Sequence, residues 1–104
     1  MANEIVERII DSALNGDNIL IPAVDGDLYQ VRKIFFVCGD TKVDVIFKDG
    51  TDNNLTGLIT LNENSAFFLD LDEHPWFTTS YGNAFIINLS TAVQISGRSY
   101  YNVQ

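Results

Sequence analysis

Two residues in the sequence could carry chemistry near neutral pH, the single cysteine, Cys38, and the single histidine, His74. They lie far apart, and no known nucleophile-base signature surrounds either of them. No nucleophile elbow, glycine-rich phosphate loop or zinc-ligand spacing occurs elsewhere. A buried structural thiol is the simpler interpretation of Cys38, and a turn before Pro75 is the simpler one for His74. We therefore predict no catalytic residue and no enzyme activity.

Carboxylates are concentrated in two short segments that could hold a hard cation such as Ca²⁺. In the first, strand alternation would point Asp70 and Asp72 to the same side, beside Glu73 and His74. The second, residues 49–53, lacks the spacing of an EF-hand. Solvated carboxylates explain both segments, and calcium at Asp70 and Asp72 is the alternative. We predict no cofactor and no metal, because one histidine and one cysteine cannot supply the usual transition-metal ligands.

Length and charge restrict the class of protein. With 104 residues the chain is long enough for one hydrophobic core, and its apolar runs are too short to cross a bilayer. Six Lys and Arg against fourteen Asp and Glu give a net charge of −8, and after Lys48 only Arg98 is basic. Nucleic-acid binding needs clusters of basic residues. We expect one domain, 1–104, that binds neither nucleic acid nor membranes.

The N-terminal residues and the lone cysteine suggest where the protein is made. Residues 1–8 have neither a basic start followed by an apolar stretch nor a small-residue cleavage site, so we expect no export signal. A single cysteine cannot form an internal disulfide, which fits a reducing compartment. We expect synthesis in a cytoplasm and release by lysis.

Most of the sequence has the pattern of a β-sandwich. From residue 19 onward, short apolar stretches alternate with turn residues at a spacing of about ten. In the clearest stretch, period-two alternation places Val43, Val45 and Phe47 on one face. We predict an all-β fold, a single antiparallel, jelly-roll-like β-sandwich of about eight strands. Their expected ranges are 5–13, 19–24, 28–38, 42–48, 55–61, 66–71, 76–79 joined to 84–89, and 92–102.

The first of these ranges, within an N-terminal arm over residues 1–18, is ambiguous. Ile5, Ile9 and Ala13 follow the i, i+4 spacing of an amphipathic helix. However, the turn residues 15–18 lead straight into the apolar stretch 19–21, as in a hairpin-like connection. We therefore predict a strand over residues 5–13, with a helix as the alternative.

Several predicted strands are apolar on both faces, although a single sandwich buries only one face of each sheet. The two-faced stretches are 34–38, 67–68 and 85–87. Either bent strands bury both sides locally, or the second face meets another subunit or a host surface, which we favour. This interpretation leaves Phe36, Phe68 and Ile86 in water in a monomer. The candidate interface residues are Ile34, Phe36, Phe68, Ile86 and Tyr100.

The C-terminal part of the sequence contains recognisable motifs. Residues 75–79 read PWFTT, and residues 82–101 read GNAFIINLSTAVQISGRSYY. They resemble the closing segment of small, jelly-roll-like virion proteins of tailed bacteriophages, in which a tryptophan-containing strand precedes T-x-x-G-x-A-L-x-L-N-L-S and a last strand V-x-V-x-G-x-x-x-Y. Residues 12–26 are similar to the opening hairpin of that family, and residues 55–59 resemble its middle L-T-G-x-L/M strand. LDEH at 71–74 replaces a glycine-rich turn, and Phe85 replaces Leu.

The resemblance implies a compact jelly roll that serves as a minor structural protein of the virion. Small jelly rolls that decorate capsids typically form trimers, which would give the two-faced strands a use. We therefore predict a capsid cement, or decoration, protein that stabilises the phage head through protein–protein contacts. Its expected partners are the major capsid protein and further copies of itself in a homotrimer.

Two other functions are compatible with the same fold. A tail module that binds a receptor or carbohydrate would use exposed aromatic rings. The available rings are Trp76, Tyr81, Tyr100 and Tyr101. A cupin-type enzyme also has a jelly roll, but its metal site needs several histidines or carboxylates, and this chain has one histidine.

Overall fold

The computed structural model describes residues 5–71 and 77–104, and within them every regular element is a β-strand. The strands are β1 (Ile5–Ser12), β2 (Gly16–Ile21), β3 (Tyr29–Cys38), β4 (Val43–Asp49), β5 (Asn53–Asn54), β6 (Ile59–Leu61), β7 (Ala66–Asp70), β8 (Phe85–Leu89) and β9 (Ile95–Val103). The predicted all-β class is confirmed. Of the strand expected over residues 55–61, the structure has only β6 at its end, and the short strand β5 precedes the expected range.

The strands form two antiparallel sheets packed as a sandwich. Sheet A has the order β1-β9-β3-β7. Sheet B has the order β2-β8-β4-β5, and β6 also pairs with β4. Successive parts of the chain alternate between the sheets, apart from β5 and β6, which stay beside β4. This strand order is that of a jelly roll, as predicted.

The hydrophobic core lies between the sheets and is built by strands that alternate inward and outward residues. On β4, the apolar residues of the period-two pattern are buried, and the inward residues of β8 pack beside them. The ring of Phe47 lies at the centre of the aromatic part of this core. Its centroid is 4.8 to 6.4 Å from those of Phe36, Phe67, Phe77 and Phe85.

The N-terminal segment is a strand, which confirms the prediction over its helical alternative. β1 pairs with β9 along its whole length, from Ile5 opposite Asn102 to Ser12 opposite Ile95. The alternation of the strand turns Ile10 into the core and leaves Ile9 on the outside, 67% exposed. Pairing with a long neighbouring strand therefore overrides the local helical spacing.

The chain between β7 and β8 differs from the single strand expected over 76–79 and 84–89. Among the described residues of these ranges, 77–79 and 84–89, only Phe85–Leu89 belongs to a strand, while Thr78 makes an isolated bridge to Gln30. A buried carboxylate holds the turn at residues 80–83. Asp49, 7% exposed, accepts hydrogen bonds from Ser80 N at 3.0 Å, Ser80 Oγ at 2.9 Å and Asn83 Nδ2 at 3.0 Å. These bonds attach residues 80–83 to the end of sheet B.

Candidate protein-interaction face

Cys38, one of the two residues considered for catalysis, is part of the hydrophobic core. It is 1% exposed at the end of β3, and its Sγ donates a weak hydrogen bond to Thr41 O at 3.4 Å. Burial raises the pKa of the thiol, and the nearby Asp40 raises it further. A buried, protonated thiol is a poor nucleophile. His74 lies outside the described residues.

The acidic segments are accounted for only in part by the structure. Within residues 5–71 and 77–104, no group of three or more His, Cys, Asp and Glu side chains could hold a metal ion. Asp49, from the second segment, accepts the three hydrogen bonds described above. Asp70, from the first, lies opposite Lys33 in sheet A. The other candidate ligands, at 72–74, lie outside the described residues.

The structure corrects three of the five candidate interface residues. Phe36 and Ile34 are 0% exposed and point into the core. Ile86 is only 3% exposed, although it lies on the outer side of sheet B, because the central strand β8 places it between Lys48 and Ile19. These residues are therefore not in water in a monomer. Phe68, 60% exposed, and the half-buried Tyr100 do lie on an outer face.

That outer face of sheet A contains most of the exposed apolar residues found on strands. Its residues, strand by strand, are Ile5, Glu7, Ile9 and Asp11 on β1, Ser96, Arg98, Tyr100 and Asn102 on β9, Lys33, Phe35 and Val37 on β3, and Ala66, Phe68 and Asp70 on β7. Five of them are large hydrophobic residues exposed by 42 to 67%. Exposed apolar side chains that lie together, unlike scattered ones, mark a surface for protein contact.

One cross-strand row runs across all four strands of this face. Ile9 pairs with Arg98, Arg98 with Phe35, and Phe35 with Phe68. Directly opposed side chains in antiparallel strands are in contact range. The row is therefore continuous from one edge of the sheet to the other, and Arg98 is its only charged member.

Arg98 is held in place at the centre of the row and borders a depression. Its Nη1 donates to Glu7 Oε1 on β1. This bond, and then that with Tyr100, raise the pKa of Arg98 above its ordinary value, so the guanidinium stays charged. Arg98, Tyr100, Phe35 and Gly97 line an open depression of about 510 Å³. Gly97 contributes only backbone there, because β9 approaches β3 so closely that a Cβ would lie 1.8 Å from Phe35 O.

The charges on this face balance, although the chain carries −8. Among the described residues, the face has two basic and three acidic members, and Arg32 at the bulge of β3 adds a third basic residue beside Asn102. The basic ones are Arg32, whose Nη1 donates to Asn102 Oδ1, together with Lys33 and Arg98, and the acidic ones are Glu7, Asp11 and Asp70. The described residues of this face, together with Arg32, therefore add no net charge to it.

The outer face of sheet B is polar where that of sheet A is apolar. Lys48 Nζ lies 3.1 Å from Asp17 Oδ1, and Asn88 Nδ2 donates to the same oxygen at 2.7 Å. Thr60 Oγ1 donates to Asp44 Oδ1 at 2.7 Å. The hydrogen bond from Asn88 chiefly lowers the pKa of Asp17, and Lys48 lowers it too, against the effect of burial. This network links β2, β8 and β4.

The sequence analysis missed Phe35, Val37 and Ile9, which the structure places on the face. The stretch 34–38 is apolar throughout, so alternation could not show which side faces water. One signal was available: Cys is among the most buried residue types, and Cys38 has the same parity as Ile34 and Phe36. That parity would have put Phe35 and Val37 outside.

The aromatic rings considered for sugar binding are dispersed. Tyr101 is 4% exposed and packs edge-on against Tyr29, with ring centroids 5.5 Å apart. Tyr81 is 66% exposed in the turn after Thr79, away from Tyr100 on β9. Trp76 lies outside the described residues. The three described rings, Tyr81, Tyr100 and Tyr101, make no ring contact with one another.

Comparison of the chain with known protein families, with curated proteins and with solved structures returned no match. No helix among the described residues is long and apolar enough to cross a membrane. The site must therefore be interpreted from its own geometry.

Proposed function

We propose that the protein is a structural component of a tailed-phage virion, a capsid cement protein that acts through protein–protein contacts. In this proposal the outer face of sheet A is buried in the assembled particle. The observation that carries it is the row Ile9, Arg98, Phe35 and Phe68, in which three exposed apolar residues lie side by side across sheet A.

The chemistry of the face supports a protein partner. A face that combines exposed aromatic and aliphatic side chains with an arginine resembles the centre of a protein–protein interface, which is enriched in aromatic residues and Arg. Phe35, Phe68, Tyr100 and Arg98 supply those residue types. The jelly-roll fold and the resemblance of residues 75–101 to phage virion proteins are the reasons for proposing a phage virion as the assembly.

A cement protein acts by mass action. Because it binds the assembled shell and not the free capsid subunit, its binding free energy is added to the stability of the shell. The expected result is that capsids stripped of the protein lose resistance to heat or osmotic shock and regain it when the protein is added back.

The test compares two variants with almost equal exposure at the altered position. Phe68→Asp places a charge on the outer face of sheet A, where the parent residue is 60% exposed. Ile19→Asp places the same charge on the outer face of sheet B, where the parent residue is 62% exposed. Circular dichroism and thermal melting check that both variants fold, since exposed substitutions usually change stability by less than about 0.5 kcal/mol. Thermal survival of reconstituted capsids is then measured.

We expect Ile19→Asp to restore stripped capsids and Phe68→Asp to fail. Equal rescue by both variants would show that the outer face of sheet A is not used. If stripped capsids are as robust as decorated ones, the protein is no cement. The second candidate, a receptor- or carbohydrate-binding tail module, then takes its place, because the depression offers an aromatic wall beside Arg98 and Glu7 for a polar ligand.

A further inference from the structure

The outer face of sheet A carries a projection and a hollow on opposite sides of β3. The projection is Phe68 on β7, and the hollow is the depression lined by Phe35, Gly97, Arg98 and Tyr100. β7 and β9 are the two neighbours of β3, each roughly 4.8 Å from it. Because Phe68, Phe35 and Arg98 share one cross-strand row, projection and hollow lie at the same height along the strands.

We propose that a second copy of this chain covers the outer face of sheet A, related by a two-fold axis that lies in the interface parallel to β3. This rotation turns the second sheet over to face the first, exchanges the two sides of β3 and preserves height along the strand. Each Phe68 therefore comes to lie over the hollow of the other copy. Such a contact is isologous, because the same patch is used twice.

The charge distribution favours a second copy on this face over contact through any other surface. Two chains of −8 repel each other, and the repulsion is smallest where the approaching surfaces are neutral. Counted over the described residues, the outer face of sheet A together with Arg32 at the bulge of β3 has three basic and three acidic residues. The Arg98–Glu7 pair is already satisfied within each copy, so burying the face leaves no unpaired guanidinium at its centre.

The two-fold pair of chains deepens the proposed function, because it names a second copy of the chain as the partner of this face. It rests on the proposed function only in taking this face to be a protein-contact surface. Two copies packed in this way present every surface outside the shared face twice. A bivalent clamp holds two neighbouring shell subunits more strongly than two separate copies would, through effective concentration. A two-fold pair thus replaces the trimer expected from the resemblance.

Sedimentation velocity of the full chain tests the pair in the absence of capsids. Between about 1 and 200 µM the parent is expected to sediment with the mass of two chains. Truncating or charging a central interface residue commonly costs 2 kcal/mol or more, so we expect Phe68→Asp to weaken association on the order of thirty-fold or more. Ile19→Asp, the matched control, is expected to associate like the parent.

Chemical cross-linking tests the position of the axis independently of any loss of folding. Val37 lies on β3, directly beneath the proposed axis, so two Val37→Cys copies should react with a bismaleimide that spans the sheet separation of about 10 Å. Ile19→Cys should give no such product. The parent provides the background, because its Cys38 is buried.

The outcomes separate this inference from the proposed function. A monomeric or three-chain parent, an unweakened Phe68→Asp pair, or equal cross-linking through positions 37 and 19 would each overturn the two-fold pair. If the monomer binds capsids through Phe68, the face meets a shell subunit, and the cement function stands without the pair. If the pair forms but never affects capsids, the pair stands and the cement function fails.

Discussion

The two outer faces of the sandwich meet solvent in different ways. Phe68 on sheet A and Ile19 on sheet B are almost equally exposed, at 60% and 62%. The cross-strand row of Phe68, however, continues through Phe35 and Arg98 to the apolar Ile9, whereas the row of Ile19 passes through Ile86 and ends in the polar Lys48 and Asn54. The exposure of one residue therefore does not distinguish the faces, and the character of its cross-strand neighbours does.

The comparison of the two sheets also shows why a residue on an outer face can be buried without contact with another protein. Ile86 on β8 is outward and yet only 3% exposed, because residues of two flanking strands cover it. On sheet A the outward Phe35 also has strands on both sides, but it stays 43% exposed beside the depression at Gly97. Gly97 itself lies opposite the buried Phe36 and Ile10, so its missing Cβ is on the core side of the sheet, and Phe35 is open toward the depression that it lines with Arg98 and Tyr100.

Among the substitutions that test this difference between the sheets, Gly97→Ala should cause the largest loss of stability. The added Cβ would lie 1.8 Å from Phe35 O and 2.5 Å from Phe36 Cα, both backbone atoms, so β9 and β3 must move apart. We expect a loss of about 3 kcal/mol or more in the free energy of unfolding. Urea denaturation measures it. Gly57→Ala is the control, because nothing lies within 4 Å of its Cβ position, and wild-type stability for Gly97→Ala would refute the close approach.

Asp49→Ala should have the next largest effect and acts at the end of sheet B. It removes the acceptor of three hydrogen bonds from Ser80 and Asn83 in a site where Asp49 is 7% exposed. We expect a loss of about 2 to 4 kcal/mol, because partly buried donors are left without an acceptor. Thermal unfolding measures it against Asp52→Ala, an exposed carboxylate nearby. A loss no greater than that of the control would show that the turn is held by other contacts.

The sequence was sufficient to predict the fold because most strands have one polar and one apolar face. β4 shows the alternation directly, and the turn at 15–18 was enough to favour a strand over a helix for β1. The site could be predicted only in part. Phe68 and Tyr100 were identified, but the uniformly apolar stretch 34–38 hides its orientation, which the pairing with β7 and β9 decides.

The depression and the charge balance could not be predicted for a different reason. Both depend on which residues lie opposite each other on strands distant in the sequence. Glu7 meets Arg98 only because β1 pairs with β9, and the bulge between Val31 and Lys33 sets which residues of β3 lie opposite Tyr100. Register between distant strands is not encoded in any local pattern.

The smallest expected effect is the loss of stability in Asp17→Asn, whose dependence on pH tests the polar network on the outer face of sheet B. The folded-state pKa of Asp17 is lowered from 3.8, chiefly by the hydrogen bond from Asn88. A lowered pKa stabilises the folded state above the pKa of the unfolded chain, and this contribution is lost as the pH falls through the folded-state value. At pH 7 we expect Asp17→Asn to be less stable than the parent by about 0.5 to 1 kcal/mol, the size of a partly exposed ion pair. The difference should be constant above about pH 5 and shrink as the pH falls below 3.8, when both side chains are neutral.

Urea denaturation at a series of pH values measures this difference in stability between Asp17→Asn and the parent, with Glu63→Gln as an exposed control. A difference that persists unchanged in acid would mean that the amide fits the network poorly and that the charge of Asp17 does not stabilise the outer face of sheet B.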